Sequence, residues 1–205
     1  MLAIVPVNTP ADAKRRLAPV LSAEQRSTLV LVMLEDVLEA CRRTSAVDGV
    51  LVVTPDPAAA PPDAAVLRDP GRGHATAIQL ALAKAGEDGA VVVMADCPLV
   101  RPEALDRLAA AARPVALAPA SDGGTNGLAL RPADAIVPAF GVVDGARVVI
   151  ERCRAAGIEP AVIDDPGLAH DIDTPEDLDH VLEAGAGTRT RVFLEGVLNG
   201  SAGPA

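Results

Sequence analysis

The 205-residue chain has no tryptophan and no tyrosine, and its aromatics are Phe140 and Phe193. Recognition of bases by stacking on aromatic platforms is therefore not expected. Cationic excess is missing as well: 18 Lys and Arg against 28 Asp and Glu leave a formal net charge of −10. A nucleic-acid-binding face wants the opposite balance, so no nucleic-acid partner is expected. A nucleotide is not excluded, because a few placed cations beside a metal ion are enough to hold one. No run approaches the ~20 apolar residues of a membrane span. The apolar opening Met1-Leu2-Ala3-Ile4-Val5-Pro6-Val7 is too short for a signal peptide and lacks a basic leader. Cys41, Cys97 and Cys153 lie far apart and fit no zinc spacing. They read as reduced thiols of a cytoplasmic protein.

What is present is a hydrophobic content of 50% with 22% charged residues, enough for one sizeable globular core. Short apolar runs at residues 2–7, 50–54, 90–94, 114–118, 127–130 and 160–163 read as buried strands, with a shorter one at 65–67. Helical patterns lie between them. The longest spans 23–43 behind a Ser22 cap, with Leu29, Val32, Met33, Asp36, Val37 and Ala40 at helical spacing. Others run from just after Gly73 to about 85, over 102–112 and 144–156, and from Pro175 to about 184. Alternation of this kind predicts an α/β fold around a mostly parallel sheet. Ligands of such sheets sit beyond the carboxyl ends of the strands. From residue 185 onward the chain reads as a tail with an amphipathic piece at 192–198 and disordered last residues. That piece can dock on the domain or on a second subunit, so a homodimer is one expected assembly.

Four elements carry candidate chemistry. His170-Asp171-Ile172-Asp173-Thr174-Pro175-Glu176-Asp177 reads as an extended run ending in two carboxylates on one side, followed by a helix start with Thr at the cap and Pro in the first turn. Hard oxygen ligands held so suit Mg²⁺, which usually arrives with substrate phosphates. Alone, such an acidic pair is common: Asp171 can serve merely as a cap, and Asp173 as a structural acid before the helix. Asp96 follows the most apolar strand directly, where a carboxylate can hold a metal or cap the segment after Pro98. Lys14-Arg15-Arg16-Leu17, in the loop after the first strand, can neutralise a triphosphate, or can be a solvated basic turn. Ser121-Asp122-Gly123-Gly124-Thr125-Asn126-Gly127 offers backbone N–H groups and two polar side chains to an anion, or is a hairpin turn. Gly71-Arg72-Gly73 is a weaker candidate for letting backbone approach a nucleotide at a helix N-terminus. His74, His170 and His180 show no metal-ligand spacing and read as structural or surface histidines.

Taken in order, these residues resemble the 2-phospho-L-lactate guanylyltransferase family of coenzyme F420 biosynthesis, whose actinobacterial members include phosphoenolpyruvate guanylyltransferases. The likeness covers about residues 1–184. It rests on Val5-Pro6-Val7 with Ala13-Lys14-Arg15-Arg16-Leu17-Ala18-Pro19, on Val53-Thr54-Pro55-Asp56, Ala95-Asp96-Cys97-Pro98-Leu99, Gly124-Thr125-Asn126-Gly127-Leu128 and Phe140-Gly141, and on Asp171-Ile172-Asp173-Thr174-Pro175. The resemblance implies a three-layer, Rossmann-like nucleotidyltransferase domain over 1–184. It implies Mg²⁺ on Asp96, Asp171 and Asp173, and acceptor contacts from Thr125 and Gly141. Beside it, the residues themselves offer Lys14, Arg16 and Asp96 as the catalytic groups, Gly71 and Gly73 for the nucleotide, and Asn126 and Arg147 as further acceptor contacts. The chain departs from the family at Asn8, where a lysine is usual, at Gly73-His74-Ala75, and at Asp144-Gly145-Ala146-Arg147, where an acid would repel an anionic acceptor unless Arg147 or the metal offsets it.

The activity this implies moves GMP from GTP to the phosphate of a small phosphorylated acid (phosphoenolpyruvate, 2-phospho-L-lactate or 3-phosphoglycerate) and releases pyrophosphate. Two other readings compete. One is a metal-dependent glycosyltransferase using Asp171 and Asp173, which the basic loop disfavours because a diphosphate needs fewer cations. The other is a degenerate nucleotide-binding protein without turnover, motivated by Asn8 and Ala75.

Overall fold

The computed structural model describes residues 1–69, 74–185 and 187–200. Seven strands, β1 (Leu2–Pro6), β2 (Gly49–Thr54), β3 (Ala65–Arg68), β4 (Ala90–Val93), β5 (Val115–Pro119), β6 (Thr125–Leu130) and β7 (Ala161–Val162), form one sheet in the order β3-β2-β1-β4-β6-β5-β7. Only β6 runs against its neighbours β4 and β5, so the sheet is mostly parallel, as expected. Its reversal places Thr125 and Asn126 at the same edge of the sheet as the carboxyl ends of β1 and β4. The Met94 N–H donates to the Asn126 carbonyl across that edge (3.0 Å).

Strand alternation divides the interior into two layers. Ala3, Val5, Val91 and Val93 face α1 (Ala23–Arg43) and α3 (Pro102–Ala111); Ile4, Val92, Leu117 and Leu128 face α2 (His74–Ala85) and α4 (Gly145–Ala155). Helix α1 has the bounds that the sequence predicts. Ser22 accepts from the Gln25 N–H (3.2 Å), and the Gln25 side chain returns the contact to the Ser22 N–H (2.8 Å). After β7, a short helix α5 (Pro166–Ala169) leads through an irregular segment into α6 (Pro175–Ala184), and α7 (Arg189–Gly200) follows. The tail segment docks on its own domain: α7 packs along α1 and α6. Its first turn is held by Asp36 of α1, which accepts from the Arg189 N–H (2.9 Å), the Thr190 N–H (2.8 Å) and the Thr190 hydroxyl (2.7 Å). No described helix is long and apolar enough to cross a membrane.

Candidate active site

Beyond the β1 and β4 ends lies a cleft of about 500 Å³ whose lining includes Asn8, Lys14, Met33, Asp96, Phe140 and Asp173. The chain between β1 and α1 makes two short 3-10 turns, Pro10–Asp12 and Arg15–Leu17, where the sequence suggests only a polar loop. Lys14 stands between them in the left-handed region (φ 55°, ψ 39°), which costs a non-glycine residue roughly 1–2 kcal/mol. Fully buried Leu17 anchors the second turn, whose N–H donates to the Lys14 carbonyl (3.0 Å). The strained backbone is thus held from below while the lysine side chain reaches across the cleft.

That side chain meets two carboxylates distant in sequence. Lys14 Nζ lies 2.6 Å from Asp96 Oδ2 and 2.9 Å from Asp173 Oδ1. The Arg16 guanidinium, mostly in solvent, lies 4.0 Å from Asp173 Oδ2. Asp171 completes the group: Asp96, Asp171 and Asp173 each offer an oxygen within 4.8 Å of the others. Burial of Lys14 disfavours its charge, but Asp96 and Asp173 outweigh this and hold the ammonium well above its ordinary pKa. Asp171 shifts the other way for an acid: burial raises its pKa, and Asp96 and Asp173 add to the rise, while a hydrogen bond from Asn126 Nδ2 (3.0 Å) opposes it. A cluster of hard, like-charged oxygens with an ammonium bonded to two of its members is chemically a cation site. The donor set fits a small divalent ion.

The sequence places the acidic pair at the end of an extended strand, and the structure corrects this. Residues 170–173 belong to no strand; they lie in the irregular segment between α5 and α6. β7 ends at Val162, and a short helix that starts at Pro166 leads into the pair. Order comes instead from Ile172, buried between the two acids, whose N–H donates to the Asp96 carbonyl (3.0 Å). On the far side Asp177 accepts from the Asp173 N–H (2.8 Å) and the Thr174 N–H (2.6 Å), a capping box that starts α6 as expected. The rings of His170 and His180 pack with centroids 4.2 Å apart, tying the same segment to α6. Cys97, fully buried, has its thiol pKa raised well above the ordinary value by burial and then by Asp96 and Asp171, so it is a neutral packing group.

At the other wall, Gly141 lines the cleft with φ +71°. Thr125 is buried, and among the described residues its hydroxyl has no hydrogen-bond partner. It faces the start of α4: a Cβ on Gly145 would come within 3.8 Å of Thr125 Oγ1 and 2.9 Å of the Ala139 carbonyl oxygen. The Arg147 guanidinium pairs with Glu151 (2.6 Å) and Asp144 (3.4 Å), so the acid at the departure from the family pattern has its counter-charge within its own helix. Asn126 touches Asp171 rather than the acceptor wall. Gly71 and Gly73 lie outside the described residues. Sequence reading misses Val30 and Met33, which α1 contributes to the cleft; their helical spacing signals only a buried face.

With this geometry, the profile of the family described as "Guanylyl transferase CofC like" matches residues 1–199. The chain belongs to that family. A phosphoenolpyruvate guanylyltransferase from Sphaerobacter thermophilus is 42% identical over 190 residues, covering 88% of this chain and 91% of the relative. A 2-phospho-L-lactate guanylyltransferase from Halobacterium salinarum is 39% identical over 195 residues, covering 95% and 90%. Among solved structures, a nucleotide-diphospho-sugar transferase from Desulfovibrio desulfuricans superposes with a TM-score of 0.77 at 21% identity, over 94% of this chain and 93% of that one. The expected nucleotidyltransferase fold is therefore the observed one, and the protein is an enzyme of the guanylyl-transferring class. Family membership decides against the glycosyltransferase reading.

Proposed function

We propose that this guanylyltransferase moves GMP from GTP to the phosphate of a small phosphorylated carboxylic acid, phosphoenolpyruvate or 2-phospho-L-lactate, in coenzyme F420 biosynthesis. The observation that carries the reading is the convergence of Asp96, Asp171 and Asp173 within 4.8 Å, with Lys14 bonded to two of them inside the cleft. An acceptor phosphate oxygen attacks the α-phosphorus of GTP, a new P–O–P bond forms, the α–β bond breaks and pyrophosphate departs. The attacking oxygen is already anionic near neutral pH, so no general base is needed. The obstacle is the approach of two anions. Mg²⁺ held by Asp96, Asp171 and Asp173 would supply charge neutralisation at the phosphates. Lys14 and Arg16 bring two cations to the same lip and favour in-line placement.

Asn126 orients Asp171 through its amide and leaves the acceptor to Thr125 and Gly141. The buried Thr125 hydroxyl is a donor awaiting an acceptor, which a carboxylate or phosphate at the start of α4 provides. Arg147 serves this wall indirectly by neutralising Asp144. Gly71 and Gly73 retain the nucleotide-side role read from the sequence.

The test is a matrix of four nucleoside triphosphates against phosphoenolpyruvate, 2-phospho-L-lactate and 3-phosphoglycerate with Mg²⁺, read as pyrophosphate and as product mass. GTP with one of the first two acceptors is expected to give both signals. Silence of those two wells, or a product carrying another base at higher rate, would overturn the assignment.

A further inference from the structure

Lys14 does more in this geometry than wait for phosphate. Its ammonium has three N–H donors, and two are placed on Asp96 Oδ2 and Asp173 Oδ1, oxygens of the same carboxylates that make up the cation cluster. Its side chain is only 8% exposed, so these contacts are poorly screened by solvent. Its backbone is held in the left-handed region by the Leu17 anchor, so the reach toward the acids is built into the fold. A divalent ion drawing on these carboxylates sits within a few ångströms of Nζ, where two cations repel strongly. Arg16 brings a further positive charge to Asp173 from the solvent side. Polyphosphate offers the ammonium another set of acceptor oxygens and removes the conflict.

We propose that Lys14 is the built-in counterion of the acidic cluster, that it holds the affinity of the cluster for a free divalent cation down, and that polyphosphate relieves this hold by drawing the ammonium away. Cation and nucleotide loading are then positively coupled through one side chain. The inference rests on the cation-site reading above.

Mn²⁺ alone, titrated into the full chain and followed by the electron paramagnetic resonance of the free ion, tests it without turnover. Lys14→Met is expected to bind Mn²⁺ at least about tenfold more tightly than wild type, the scale of removing one adjacent charge. Lys14→Arg, which keeps the charge, stays near wild type. Lys14→Gln provides a second neutral variant should the methionine protein fail to fold. Adding inorganic tripolyphosphate should tighten Mn²⁺ binding by a larger factor in wild type than in the neutral variants. If neutral variants bind Mn²⁺ no better than wild type while Asp171→Asn weakens it, the counterion role is wrong and the cation site stands. If no form binds Mn²⁺ saturably, with or without tripolyphosphate, the cation site fails and takes the inference with it.

Discussion

Asp36 is buried and Asp171 half-buried, and the two acids are held in opposite ways. Asp36 lies on the inner face of α1, 8% exposed, and accepts three hydrogen bonds from the first turn of α7, with the Arg189 guanidinium at 3.5 Å. Its charge caps another helix and completes orphan N–H groups. Asp171 receives one amide hydrogen bond, has two further carboxylates within 4.8 Å and is pushed toward its neutral form. Burial alone therefore does not mark a functional acid. An acid whose lone pairs are filled by its own chain holds the structure together, whereas one crowded by like charge is held ready for a cation.

The contrast can be broken most directly at Asp173. Changing it to Asn should lower the turnover of pyrophosphate release by at least ~10²-fold, the scale of losing one key electrostatic group at a reacting phosphate, while leaving the melting temperature near wild type. Asp36→Ala should do the reverse. Stability in urea should fall by about 2–4 kcal/mol, because buried N–H groups at the α7 start lose their acceptor, and per-molecule turnover of the folded fraction should hold. Were Asp36→Ala to abolish turnover without loss of stability, the division between the two acids would be wrong. A smaller effect is expected at the acceptor wall: Thr125→Val should raise the acceptor KM about tenfold with little change in kcat, the loss of one hydrogen bond to a charged group. The smallest is a matter of pH. Because the folded pKa of Asp171 lies above its unfolded value, its contribution to stability is present below the unfolded value and is lost as pH rises through the folded one. Without divalent cation, Asp171→Asn should therefore melt higher than wild type at neutral pH, and the gap should close on acidification.

Several features were legible in the residues. Ser22 and Gln25 write the start of α1, and the run Val91-Val92-Val93 announces a central strand with Asp96 just beyond it. The direction of β6 was not legible, because side-chain alternation is the same in parallel and antiparallel strands. Nor was the reach of Lys14, since its partners are 82 and 159 residues away and only the folded topology brings them together. The acidic pair was found in sequence and given the wrong local structure. Its geometry depends on the Ile172 N–H meeting the Asp96 carbonyl, a tertiary contact that no local spacing encodes. Asp36 left a trace, a charge within an apolar helical stripe, which says that a partner exists without saying that the partner is the start of α7.

The central claim is that Asp96, Asp171 and Asp173 act together through a divalent cation to join two anions. Pyrophosphate release from GTP, with phosphoenolpyruvate and with 2-phospho-L-lactate, measured across a Mg²⁺ titration that begins in excess chelator, tests it most directly. The predicted result is no release in chelator and a saturable rise with Mg²⁺ for one of the two acceptors. Undiminished release in chelator would contradict it.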